Sequence, residues 1–134
     1  PNYFTNSILD VTSYWYGDSA KSIEAIIRYL PWLENDVLND IKQTYQDLGY
    51  TAALNKMTAG MEEAAKVGYV LPFDLACYLL RTNKTEKALE WFEKAYEIHD
   101  PNMPYISTNF ASFYKIEDDP RFIKLLKQMN LPLK

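Results

Sequence analysis

The stretch 71-LPFDLACYLLRTNKTEKALEWFEKAYEIHDPN-102 decides the fold of this chain. In its second half Ala88, Leu89, Phe92, Ala95 and Tyr96 recur at helical spacing, while Lys84, Glu86, Lys87, Glu90, Glu93, Lys94 and Glu97 take the other face. That pattern predicts a strongly amphipathic helix. Asn83 is placed to cap it, with Glu86 three residues on reaching back as in a capping box, and Pro101 stops it. In the first half Pro72 suits a first-turn position, and Phe73, Ala76, Cys77, Leu79 and Leu80 form a broad apolar face that ends at Arg81, Thr82 and Asn83. The reading is two antiparallel helices closed by a polar turn. Ala76, Ala88 and Ala95 sit where the two helices approach closely, and Leu75, Leu79 and Phe92 fill the space around them.

This arrangement resembles the tetratricopeptide repeat, a helix-turn-helix unit of roughly 34 residues with small residues at its helix crossings and a proline at its end. Leu75, Ala76 and Leu79 match the first helix of that signature, and Ala88, Phe92, Ala95 and Pro101 match the second. Pro72 stands where the signature has Trp, and Asn83 where it has the turn Gly. The resemblance implies an all-α, helical-hairpin repeat stack with a C-terminal capping helix, forming one domain over residues 1–134. Within it, residues 1–33 would be a degenerate first pair, 34–68 a second pair, 69–102 the best-matching repeat, and 103–134 an irregular segment followed by the capping helix.

Working outward, Ile8, Leu9, Val11, Tyr14 and Trp15 suggest a first helix broken by Gly17. Asp18 or Ser19 caps a second, which carries Ala20, Ile23, Ile26, Ile27 and Leu30 up to Pro31, with Ser22 where the repeat has a small Ala. A third helix runs from about Asn35 to Leu48 with Val37, Leu38, Ile41 and Tyr45 on one face and Gly49 as its stop. The fourth has a small-residue face of Ala52, Ala53, Gly60, Ala64 and Ala65, in which Gly60 is expected to admit a neighbouring helix. Beyond an irregular stretch with short turns around residues 109–114, Asp119 and Pro120 open a last helix lined by Phe122, Ile123, Leu125, Leu126 and Met129. Such a helix closes a repeat stack, whose last apolar face would otherwise meet water. Asp119-Pro120-Arg121-Phe122 with Leu125-Leu126, following His99-Asp100-Pro101, is similar to the C-terminal repeat segment of bacterial multidomain regulators, in which it follows winged-helix, kinase or cyclase domains. That likeness covers residues 43–134. With Pro1 rather than Met at the start, it implies a fragment or processed product acting behind an upstream domain.

Composition excludes several functions. A net charge of −4 with no Lys/Arg cluster disfavours nucleic-acid binding, because phosphate contacts need a clustered basic surface. No apolar run approaches the ~18–20 residues of a membrane span. The single cysteine fits a reducing compartment, so the expected location is cytoplasmic. Cys77 and the single histidine, His99, fall in different elements, which argues against a nucleophile–base pair and leaves too few ligands for zinc. Glu62 and Glu63 diverge by about 100° on a helix, and Asp118 and Asp119 are accounted for by a helix start. No enzyme, metal or cofactor is expected. The repeat resemblance instead implies a concave groove, with Phe73, Cys77, Leu80 and Arg81 facing it and Lys42 and Tyr45 beside them on the third helix. A cation beside an aromatic there suits an acidic segment of a protein partner or of an upstream domain. Self-association is also open. A second reading takes Tyr105, Phe110, Phe113 and Tyr114 as an aromatic cover over a small-ligand pocket.

Overall fold

Seven α-helices and two 3₁₀ turns account for the ordered elements, and no strand occurs among the described residues. The computed structural model describes residues 3–30, 33–68, 70–108 and 112–133, so the readings on Pro31, Phe110 and the turn around residues 109–111 lie outside the described residues. The helices are α1 Tyr3–Trp15, α2 Ser19–Tyr29, α3 Asn35–Leu48, α4 Tyr50–Ala65, α5 Pro72–Arg81, α6 Thr85–Glu97 and α7 Pro120–Gln128. Contacts group the chain into two units, Pro1–Gly60 and Met61–Lys134, with the division inside α4.

In the first unit α1 and α2 form a close pair. The face that α1 buries is its polar one. Asn6, Asp10 and Ser13, spaced i, i+4 and i+7, are 7%, 1% and 7% exposed, whereas Phe4 and Trp15 are 66% and 49% exposed. Burying such groups is tolerable only if they are hydrogen-bonded. Ser22 of α2, itself fully buried, donates to the Asp10 carboxylate at 2.6 Å and shares a 2.7 Å hydrogen bond with the Tyr50 hydroxyl at the start of α4. Ser22 thus joins α1, α2 and the start of α4 through one buried hydroxyl. Tyr14 stacks on Tyr50 at 6.0 Å between ring centroids, alongside the polar chain. Asp18 caps α2 by accepting from the Lys21 backbone N–H at 3.1 Å, and that bond, chiefly, holds its carboxyl below the usual range.

α3 and α4 are joined through Gly49, which has φ +91°, and are tied by Lys56–Asp40 at 2.8 Å. Gly60 is not forced by a close approach. A Cβ there would meet only Val37 Cγ1, at 3.6 Å, an ordinary contact. Gly60→Ala is therefore expected to raise stability by about 0.5–1 kcal/mol through lower unfolded-chain entropy. Urea denaturation checks this, and a loss on substitution would restore the packing explanation.

In the second unit α5 and α6 form the predicted hairpin. Ala76, Leu79, Ala88, Leu89, Phe92 and Ala95 are fully buried between and beneath the helices. The capping box is absent: Lys84 occupies the N-cap of α6 with no side-chain bond, because Asn83 is used otherwise. Asn83 adopts φ +61°, its N–H bonds Leu80 O at 3.0 Å, and Lys84 N–H bonds Leu79 O at 2.9 Å. This is a Schellman stop, with Asn at the left-handed position that the repeat signature gives to Gly. α1, α6 and α7 end the same way, on Gly17, His99 and Asn130 at φ +79°, +59° and +54°. His99 carries a Cβ in that conformation, which glycine adopts without steric cost. His99→Gly is expected to stabilise by about 0.5–1 kcal/mol, read as a higher Tm. A lowered Tm would mean that the imidazole itself supports the turn.

The segment after α6 closes over α5. Phe113, in the 3₁₀ turn Phe113–Lys115, is 1% exposed and lies 6.3 Å from Phe73, 5.7 Å from Phe92 and 6.1 Å from Phe122, centroid to centroid. Lys115 Nζ donates to Leu80 O at 2.9 Å and to Asn83 Oδ1 at 2.8 Å, covering the C-terminal end of α5. α7 opens as the sequence predicts. Asp119 accepts from the Arg121 N–H at 2.9 Å, Pro120 is in the first turn, and Phe122, Leu125 and Leu126 are buried. Arg121 binds Glu93 and, at 3.1 Å, Glu86 of α6. The Glu93 carboxylate, chiefly, pushes the guanidinium pKa further up.

Candidate functional site

A concavity of about 440 Å³ lies within the first unit between α2 and α3. Its α2 wall is a single helical face, Ala20, Ile23 and Ile27, edged by Glu24 and Arg28. Its α3 wall is Lys42, Tyr45 and Gln46, again at i, i+3 and i+4. α2 can turn Ala20 and Ile27 to the groove because Ser22, Ala25, Ile26 and Leu30 already fill its buried side. Ile23 sits at the base with 3% of its surface exposed, while Ala20 and the charged residues stand open. The Tyr45 hydroxyl shares a 2.8 Å hydrogen bond with Ser19 Oγ, which fixes the ring against the α2 side of the groove. The volume is that of an ordinary ligand pocket, and the groove is partly open to solvent.

Of the residues expected at a groove, Lys42 and Tyr45 are brought together here. Phe73 and Leu80 are not on a surface. They are 4% and 0% exposed in the core of the second unit, and Phe113 of the chain's own later segment occupies the space over Phe73. Cys77 is half-buried in mid-α5, and Arg81 is half-buried with its guanidinium 5.0 Å from the Tyr78 ring centroid, a cation–π contact. Of the expected aromatic cover, Phe113 is core, Tyr105 and Tyr114 are 53% and 58% exposed, and Phe110 is outside the described residues. Arg28, Ile23, Ile27 and Gln46 were not expected at the site. The available signal was the breadth of the apolar arc of α2, which takes in Ala20, Ile23, Ile26, Ile27 and Leu30 and is wider than one core-facing stripe.

Among the described residues no group of three or more His, Cys, Asp or Glu could hold a metal ion, and no helix is long and apolar enough to cross a membrane. His99 is exposed just past α6, and Cys77 is held in mid-α5. No protein-family model matches the chain, and comparison with curated proteins and with solved structures returns no significant match.

Proposed function

We propose that the chain is a non-catalytic protein-interaction module of tetratricopeptide-like hairpins whose contact surface is the α2–α3 groove. The observation that carries this reading is the groove itself. Two helices offer parallel rows of side chains with an apolar floor, and Tyr45 is already pinned in place by Ser19. A pre-set aromatic loses little entropy when a partner docks, which favours protein recognition. The repeat part of the proposal is supported by the α5–α6 hairpin, with Ala76, Ala88 and Ala95 fully buried and left-handed Asn83 at the turn. Its closing helix, opened by Asp119 and Pro120, supports a place behind an upstream domain of a cytoplasmic bacterial signalling or transcription regulator.

Ala20 is exposed in the groove and offers a charge-neutral block: Ala20→Tyr fills the space without touching the core. A displayed peptide library panned on the wild-type chain should enrich sequences that fail to bind Ala20→Tyr, with both proteins equally folded by circular dichroism. Enriched peptides that bind both proteins alike would remove the groove from the proposal.

A further inference from the structure

We infer that the segment taken by this groove is an acidic amphipathic helix of a partner protein. The inference rests on the groove reading above and adds the chemistry of the occupant. The first unit has four cations, Lys21, Arg28, Lys42 and Lys56. Two are satisfied internally: Lys21 pairs with Asp18 at 3.3 Å and Lys56 with Asp40 at 2.8 Å. Arg28 and Lys42 make no ion pair among the described residues, and both line the groove, one on each wall. Only one carboxylate, Glu24, shares it with them. This happens in a chain where acidic residues outnumber basic ones by 18 to 14, so carboxylates are not scarce. Leaving the two spare cations of the unit on opposite walls of this apolar-floored groove creates a local positive site on a negative protein. An anion between them is complementary in charge.

The shape supplies the other half. Ala20, Ile23 and Ile27 on one side and Lys42, Tyr45 and Gln46 on the other are rows of helical side chains with a furrow between them. A third helix fits such a furrow by laying a ridge of its own into it, with anchors at i, i+3 or i+4, and i+7. Apolar anchors of that helix rest on Ile23, Ile27 and the Tyr45 ring. Its flanking Glu or Asp side chains meet Arg28 on one edge and Lys42 on the other, and Glu24 disfavours a carboxylate placed beside it. The occupant is therefore acidic at its edges and apolar along its centre.

The probes are acetyl-ELLEQLLEELLE-amide and acetyl-QLLQQLLQQLLQ-amide, titrated into the ¹⁵N-labelled full chain, with affinities from fluorescence anisotropy. The acidic peptide is expected to shift the amides of Ile23, Lys42 and Gln46 and to bind about ten-fold tighter than its Gln counterpart, as two exposed ion pairs supply. That preference is expected to shrink with added salt and to vanish in Arg28→Gln/Lys42→Gln, whose exposed helical positions accept Gln at no loss of fold. If both peptides bind equally and Ala20→Tyr blocks both, the groove stands and its acidic preference is overturned. If neither peptide moves the groove amides, both readings fall. Tight binding of the acidic peptide that survives the double variant would place the contact elsewhere and overturn the inference.

Discussion

Phe113→Ala is expected to lower stability of the second unit by about 3–5 kcal/mol, the range for removing a buried aromatic from a packed core. The residue is 1% exposed and sits among three other phenylalanines, Phe73, Phe92 and Phe122, with ring centroids 5.7–6.3 Å away. These belong to α5, α6 and α7, so one side chain from a 3₁₀ turn joins all three helices. The void left by truncation has few ways to collapse, since helix packing holds the surrounding rings apart. The backbone around it is an irregular segment, and its neighbours Ser112 and Ile116 are also buried, at 0% and 3% exposed. Loss of the ring should therefore loosen Lys115 from the end of α5 as well. Amide hydrogen exchange would show this as faster exchange at Asn83 and Lys84 than at residues of the α1–α2 pair. A loss below about 1 kcal/mol would mean that Phe113 lies on the surface, which is the role expected of an aromatic cover.

Where the sequence carries its own local signal, the fold is legible. α7 was readable because Asp119 and Pro120 mark its start and Phe122, Leu125 and Leu126 repeat on one face, and all five do what their spacing implies. The α5–α6 hairpin was readable for the same reason. What escaped is decided by partners distant in sequence. Asn83 and Glu86 have capping-box spacing, yet Asn83 is consumed by the turn and by Lys115, which lies 32 residues away in sequence. α1 has a clear apolar set in Ile8, Leu9, Val11 and Trp15, but periodicity cannot tell that Ser22 and Tyr50 would reward burying Asp10 instead. Gly60 looked like a packing glycine, although its nearest neighbour leaves room for a methyl group.

The site divides along the same line. Lys42 and Tyr45 were named beside Phe73 and Arg81 from the same repeat resemblance, and the structure puts them in a groove with α2 instead. Arg28 was missed because the apolar arc of α2 is broader than a core needs, and spacing alone does not show that Ala20 and Ile27 at its edge line a groove beside Arg28. Phe73 and Leu80 were placed on a groove by a register carried over from the repeat signature. In the structure Phe113, itself buried, packs against Phe73, so a residue expected to meet a partner meets the chain's own later segment. Nothing within residues 71–102 announces that contact.

Asp100→Ala should give the second large effect, a loss of about 1–3 kcal/mol. Asp100 is 5% exposed, and its two carboxylate oxygens do different work. Oδ2 accepts from the Phe73 N–H at 3.2 Å, and Oδ1 accepts from the Asn102 N–H at 2.9 Å. Phe73 is in the first turn of α5, where backbone N–H groups have no intrahelical partner, and Leu71 at the N-cap supplies no side-chain bond. The cap of α5 is thus contributed from 27 residues downstream, after α6 has returned to the start of its partner. A carboxylate at that end also complements the helix dipole. Alanine leaves the Phe73 N–H buried and unpaired, which is the costly side of hydrogen-bond loss. Asp100→Asn separates the two terms, since one carbonyl oxygen remains to accept while the charge is gone. It should fall between wild type and Ala in urea denaturation with an unchanged m-value. If Asn and Ala are equally damaging, the charge at the start of α5 accounts for the effect. If both match wild type, the clasp between the two ends of the hairpin contributes nothing, and packing of Phe73, Phe92 and Phe113 alone holds α5 in place.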